Sequence, residues 1–346
     1  MEESFDAIIE SIFMQLNGDP SHDAQLLMDA AKEYKDHEYS TEIVRAIGRK
    51  LYEVLPDDAK EDLANVIGNH EASSTSVLDE TLLALQKGET EKALSIIEPY
   101  ALKLEELHEG GLCKEDTASV YFDFDNVIQY IFVAETLKTD KEIRQATEPF
   151  ADTFGMYAGI LFDVGRHEEA IQWLRRAIEW NPAQTQFYFE IATNYKKLGD
   201  LDAALRASGE AFPYIMDAQS LARWFREHGF IAIEQGELRL AAAEFRYSNI
   251  FEESPLAMSE IMFIRQQFGE DYTGMTVEEA VEVLDEYQMP LSITNYSFGL
   301  LAAIYKLLVD NGNLDAACKL AFDLYGLSGD NEWMENFEDL REKLQA

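Results

Sequence analysis

The sequence is short of positive charge, nearly free of cysteine and without any long apolar run. Each shortage excludes something. Lys and Arg total 28 against 66 Asp and Glu, a formal charge of -38. A surface of that sign repels phosphate backbones and anionic lipid headgroups, so neither a nucleic acid nor a membrane is the expected partner. It favours solubility and partners that carry cationic groups. The 2 cysteines, Cys113 and Cys318, lie far apart and match no metal or redox spacing. Free thiols in a reducing cytoplasm are therefore expected. No stretch approaches the roughly eighteen apolar residues that cross a bilayer. The opening residues, Met1 to Asp6, lack the basic and then apolar pattern of a secretory signal.

Catalytic signatures are missing as well. Four of the six histidines precede a glutamate (His37, His70, His108 and His167). A zinc peptidase helix needs a second histidine one turn later. The positions one turn on hold Thr41, Ser74, Leu112 and Ile171. Asp123-Phe124-Asp125-Asn126 starts like a calcium loop but lacks the glycine and the later glutamate that complete one. No phosphate-binding glycine loop or Gly-x-Ser-x-Gly is present. Acidic pairs such as Asp57/Asp58 and Glu168/Glu169 sit at predicted helix starts, where the helix dipole favours them. The expectation is a non-enzyme without metal or cofactor.

What is there is a period. At an offset of 34 residues, Ala158 aligns with Ala192, Gly165 with Gly199, Ala170 with Ala204 and Ala177 with Ala211. Tyr157, Ile160 and Leu161 in the first copy, and Ile191 and Tyr195 in the second, fall at helical spacing between them. Glycine suits the reversal between two helices because it adopts positive φ without steric cost. Alanine lets two helices approach, since a neighbour's bulky side chain nests over it. Asn181-Pro182 ends the second helix. A third copy has Gly236, Ala241 and Phe245, with Pro255 closing it and about three extra residues near Pro213 to Asp217.

Ala158, Gly165, Ala170, Ala177 and Pro182 occupy the five signature positions of the tetratricopeptide repeat, and the segment from 151 to 255 resembles three such repeats. The second copy departs from the pattern with Met216 at the proline position. The resemblance implies an all-α fold of tandem antiparallel helical hairpins stacked into a right-handed α-solenoid. One hairpin cannot bury its own apolar face, so the flanks are expected to extend or cap the array. Residues 1–75 read as an N-terminal helical region, with helices near 5–16, 23–34, 41–54 and 59–67. Residues 76–150 read as degenerate repeat-like helices (78–86 and 90–104) with an irregular segment at 110–126. There Tyr121 to Asn126 alternates apolar with polar residues, as a short strand or a hairpin tip does, before a helix from Val127 to Leu137. Its aromatics suit an inter-repeat core or a recognition patch. Residues 256–346 read as a C-terminal helical region with a degenerate repeat (297–309 and 314–324) and a capping helix.

In this family the first helix of each hairpin lines a concave face that binds peptides or partner proteins. By position the resemblance names Phe162 and Asp163, then Phe189, Thr193, Lys196 and Lys197, then Arg223, Arg226, Phe230 and Glu234. The Lys and Asn pair with which some members grip a terminal carboxylate is absent, because Gly155/Gly159, Phe189/Thr193 and Arg226/Phe230 stand there. Residues 151–250 hold 10 basic and 14 acidic residues, a net of -4, which leaves -34 for the rest of the chain. Two readings follow. Lys196, Lys197, Arg223 and Arg226, with Phe189 and Phe230, form a patch for an acidic or carboxylate-bearing peptide. Alternatively they are ordinary surface charges whose stems cover apolar helix surface. The expected function is a protein-interaction scaffold; a peptide-sensing regulator acting through a partner, or an accessory subunit of an enzyme, are the alternatives.

Overall fold

The computed structural model describes residues 8, 11–16, 20–34, 43, 47, 50 and 71–345. The chain divides into two compact units, Met1–Glu80 and Thr81–Ala346. In the first, helix α1 (Pro20–Glu33) contributes Leu27 and Ala30 to a small core with Ile8, Ile12, Ile43 and Ile47. Each of these pairs is spaced three or four residues apart, which places its members on one helix face. The helices expected at 41–54 and 59–67 lie outside the described residues, apart from positions 43, 47 and 50.

Helix α2 (Glu71–Gln86) turns at Gly88, where φ is 72°, into α3 (Thr90–Glu109). A pair of short strands follows. β1 (Ser119–Phe122) and β2 (Glu142–Gln145) run in parallel, with Ser119 opposite Glu142 and Phe122 opposite Gln145. Parallel strands need a crossover, and here it is α4 (Val127–Leu137). The Asn126 side chain starts that helix by accepting from the backbone N–H of Ile128 and Gln129, at 3.0 and 3.1 Å, which satisfies two of the donors a helix start leaves open. Phe122 and Phe124 are buried, with ring centroids 5.2 Å apart. The aromatic run therefore supplies core. Between those rings Asp123 accepts from the Ala151 backbone N–H at 2.8 Å. Burial pushes its carboxyl up to about 7, and Asp152 and Asp125 add to the effect.

Three hairpins follow in register: α5 (Phe150–Asp163) with α6 (His167–Trp180), α7 (Thr185–Leu198) with α8 (Leu201–Ala211), and α9 (Ala218–Gln235) with α10 (Leu238–Phe251). The turns fall at Gly165, Gly199 and Gly236, with φ of 78°, 79° and 81°, the left-handed region that only glycine enters without strain. Ala158, Ala170, Ala177, Ala192, Ala204, Ala211 and Ala241 are all buried. The first and second hairpins approach closely at Gly155, where an added Cβ would lie 2.5 Å from Cε1 of Phe187. The extra residues before the third hairpin form a 3-10 turn, Phe212–Tyr214. Asp217 then caps α9 by accepting from the Ser220 backbone at 2.7 Å.

Beyond the repeats two helices pack on the last hairpin, and the chain then turns back. α11 (Pro255–Phe268) and α12 (Val277–Glu286) both pack on α10. α13 (Asn295–Asp310) and α14 (Leu314–Ser328) reach back to α4, and α14 also lies against α9. α15 (Asn331–Gln345) covers α14. One core cluster joins all of these but α11: Ile128 and Phe132 of α4, Phe189 of α7, Phe225 of α9, Leu301 and Ile304 of α13, and Leu320 and Leu324 of α14. Ala257, Ile261 and Ile264 of α11 pack in a second cluster with α9 and α10. Gly326 permits the contact with α9, because a Cβ there would lie 2.8 Å from that of Ala218. The C-terminal hairpin thus closes against the array instead of extending it. No described helix is long and apolar enough to cross a membrane.

Candidate binding cavity

Where α14 meets the start of α9, the packing leaves a cavity of about 780 Å³, within the size range of small-molecule and peptide sites. Most of its walls come from four places. These are Asp125 to Gln129 at the start of α4, the turn from Ala183 to Gln186, the first three turns of α9, and Lys319 to Gly326 on α14. Tyr214, Phe251 and Phe322 supply apolar area, and Phe189 lies behind Arg223 with 1% of its surface exposed.

The charged lining is divided. At the end where α9 begins stand Asp125, Asp217 and Asp323, with Lys319 one turn before Asp323 on α14. Asp125 is well held: it accepts from Asn181 at 3.2 Å, from Gln184 at 2.7 Å and from Gln129 at 3.1 Å. Burial still raises its pKa, with the Gln129 and Asn181 hydrogen bonds opposing. Asp323 has no hydrogen-bond or ion-pair partner among the described residues. Burial pushes it up to about 7, Asp217 adds to the rise and Lys319 opposes it. Further along α9 come Arg223 and Arg226. Arg226 donates to Glu252 at 2.6 Å through Nη2, while its buried Nη1 has no partner. Arg223 stands 4.9 Å over the Phe189 ring, donates to the neutral amide of Gln186, and has Glu227 3.9 Å away. Burial lowers the Arg223 pKa, and the neighbouring Glu227 and Glu190 work against that shift.

Phe189, Arg223 and Arg226 of the expected binding face therefore meet at this cavity, whereas Phe162, Thr193, Lys196, Lys197 and Phe230 do not line it. Phe162 is half-buried edge-on to His167, with centroids 5.2 Å apart. Thr193 donates to the Phe189 carbonyl at 2.9 Å. Lys196 is ion-paired with Glu227 and lies 5.2 Å over Phe230. Lys197 is exposed. Phe189 itself is only 1% exposed, because α4 shares its core. The basic patch read from the sequence is thus largely neutralised from within, by Glu227 and Glu252. Sequence reasoning missed Asp217, Asp323 and Lys319. Nothing in their local sequence marks them, because the cavity is made by helices about a hundred residues apart. Among the described residues, no group of three His, Cys, Asp or Glu is placed to hold a metal ion.

Residues 151–184, the α5–α6 hairpin with its following turn, match the profile of the tetratricopeptide repeat. That hairpin is a tetratricopeptide repeat. The second and third tetratricopeptide-like hairpins reproduce the matched one, with glycine at positive φ in the turn and buried alanines on the packed faces. No curated protein sequence matches the chain. Similar solved structures include a tetratricopeptide repeat protein from Parabacteroides merdae, at 9% identity and a TM-score of 0.38, covering 97% of this chain and 98% of that one. The Rap conjugation gene regulator of the plasmid pLS20, in complex with the Phr* peptide, is 12% identical with a TM-score of 0.39, covering 98% and 94%. A human IFIT1 dimer with PPP-AAAA is 12% identical with a TM-score of 0.37, covering 99% and 74%. Likenesses this weak carry no argument about ligands.

Proposed function

We propose that the chain is a protein-interaction scaffold with no catalytic role of its own, and that its cavity receives a peptide or a segment of a partner protein. The observation that carries this reading is the lining of the cavity: the Arg223 guanidinium over Phe189, apolar rings beside it, and unpartnered polar groups at both ends. Peptides meet such a lining with backbone amides and side chains together, whereas the surplus of carboxylates at one end disfavours a nucleic acid or an anionic membrane. Two free, buried thiols fit a reducing compartment such as the cytoplasm.

The test is selection of peptides from a random display library on the full chain, followed by affinity measurement on variants. Arg223→Gln is expected to weaken selected peptides by about tenfold, the worth of a hydrogen bond to a charged group. Lys197→Gln, which alters an exposed side chain away from the cavity, is expected to leave them unchanged. Equal loss in the two variants, or loss in neither, overturns the placement.

A further inference from the structure

Helix α13 is covered on two of its sides and bare on a third. Ser297, Leu301, Ile304 and Leu308 face the core. On one flank Phe298 and Tyr305 meet the Trp333 ring of α15, with centroids 6.3 and 5.2 Å apart. The other flank carries Tyr296, Leu300, Ala303 and Leu307, at intervals of four, three and four residues that keep them on one stripe. Tyr296 is 59% and Leu307 46% exposed, while Ala303 is exposed and Leu300 half-buried. Beside the stripe, a Cβ added at Gly299 would meet nothing within 4 Å. We propose that this stripe is where two copies of the chain meet, with their α13 helices antiparallel about a two-fold axis between residues 301 and 302.

Spacing, size and charge favour a second copy over other occupants. A contact about a two-fold axis must be complementary to itself. Intervals of four, three and four read the same in both directions, so an antiparallel copy sets Leu300 against Ala303 and Tyr296 against Leu307, twice each. The long Leu300 then nests over the small Ala303, the condition for two helices to approach closely. Charge selects the place. Each copy carries -38, so two copies repel wherever their acids meet. Helix α13 holds one base, Lys306, and one acid, Asp310, and neither lies on the stripe. A partner with a cationic surface finds no carboxylate on the stripe to pair with. No residue of α13 lines the cavity, so the contact is independent of the peptide-binding reading.

The test is sedimentation velocity on the full chain across protein concentration and salt. The expected result is a monomer–dimer equilibrium that tightens about tenfold as the screening length falls from about 10 Å to about 3 Å, because salt weakens the repulsion between two acidic chains. Ala303→Glu sets a carboxylate under Leu300 of the other copy and is expected to weaken the dimer at least about tenfold, the cost of burying an unpaired charge. Its side chain is exposed in the single chain, so thermal melting of the dilute protein should not move. Disulfide cross-linking reads the register. Tyr296→Cys chains mixed with Leu307→Cys chains are expected to cross-link on mild oxidation, and neither variant with itself. In the proposed pairing the two copies of residue 296 lie about 16 Å apart along the helix axis, whereas a disulfide spans about 4.4–6.8 Å between Cα atoms. Cross-linking of either variant with itself, or association that Ala303→Glu leaves intact, overturns the pairing. Association that weakens as salt rises overturns it as well, since opposite charges then drive the contact. A chain that stays monomeric at every concentration and salt also overturns it, and leaves the stripe to a helix of a different protein.

Discussion

The three repeats and the C-terminal arm bury helices by different means. In the repeats, small residues recur in register and large rings fold over them, as Phe187 does over Gly155 and Phe245 over Gly229, where an added Cβ would lie 3.0 Å from the ring. The neighbour that gives way is a side chain. In the arm, Gly326 faces the Cβ of Ala218, an atom fixed to the backbone of α9, and only a shift of a whole helix relieves it. The repeats therefore absorb local change, and the arm transmits it to the cavity.

The most severe test of this contrast is Phe225→Ala, in the core cluster that both regions share. Loss of a fully buried ring costs about 3–5 kcal/mol. Urea melts of single-tryptophan variants, read at Trp173 in the repeats and at Trp333 on the arm, should move together. Midpoints that separate by more than their error would break the idea of one welded core. Next comes Gly326→Ala, with about 1–3 kcal/mol of overpacking set against about 1 kcal/mol gained in helix propensity. Hydrogen exchange should speed up in α14 and the first turns of α9 and stay unchanged in α5 and α6. Gly155→Ala sharpens the same comparison. The Phe187 ring can turn aside, so the net cost is expected to stay below about 1 kcal/mol, with no change in α14.

A pH series separates the regions further. Asp323 titrates near 7 in the fold and near 3.8 as a free carboxyl. Its folded value is raised, so it costs nothing below about pH 4 and destabilises increasingly as pH rises to about 7. His228, in the third repeat, works in the opposite sense. Burial lowers it to about 4 from 6.5, so stability falls as pH drops through that window. Asp217 from α9 and Lys319 on its own helix act on Asp323, and Asp125 from the start of α4 lines the same cavity. Asp323→Asn is expected to flatten the pH dependence of exchange in α14 between pH 5 and 8, and to leave α5 and α6 as they were. The smallest effect belongs to Lys197→Glu, an exposed change expected within about 0.5 kcal/mol by thermal melting.

How much of this was legible in the sequence follows the same division. The 34-residue offset placed the three hairpins and their turning glycines, because in a repeat each contact is local and recurs. The helix from Val127 to Leu137 and the pair around Gly312 were also visible, as periodicity bounded by a cap or a glycine. The return of α13 and α14 to α4 was not visible. No recurring residue marks a contact between segments so distant, and the register that betrayed the repeats is absent there. The same gap explains the site. Arg223 and Arg226 were found from their place on the first helix of a repeat. Asp323 and Lys319 were missed because their partners lie on the far side of that return. Phe189 reads as part of a binding face because nothing in its own hairpin shows that α4 shares its core.

The late contact between α4 and the last helices also sets an order of events. Contacts within and between neighbouring hairpins close over a few tens of residues, whereas loop-closure entropy makes the distant pairing slow. The floor of the cavity is the final part to be laid. Until Leu314–Ser328 has been made and has packed against α4 and α9, the wall that they form is missing from the cavity.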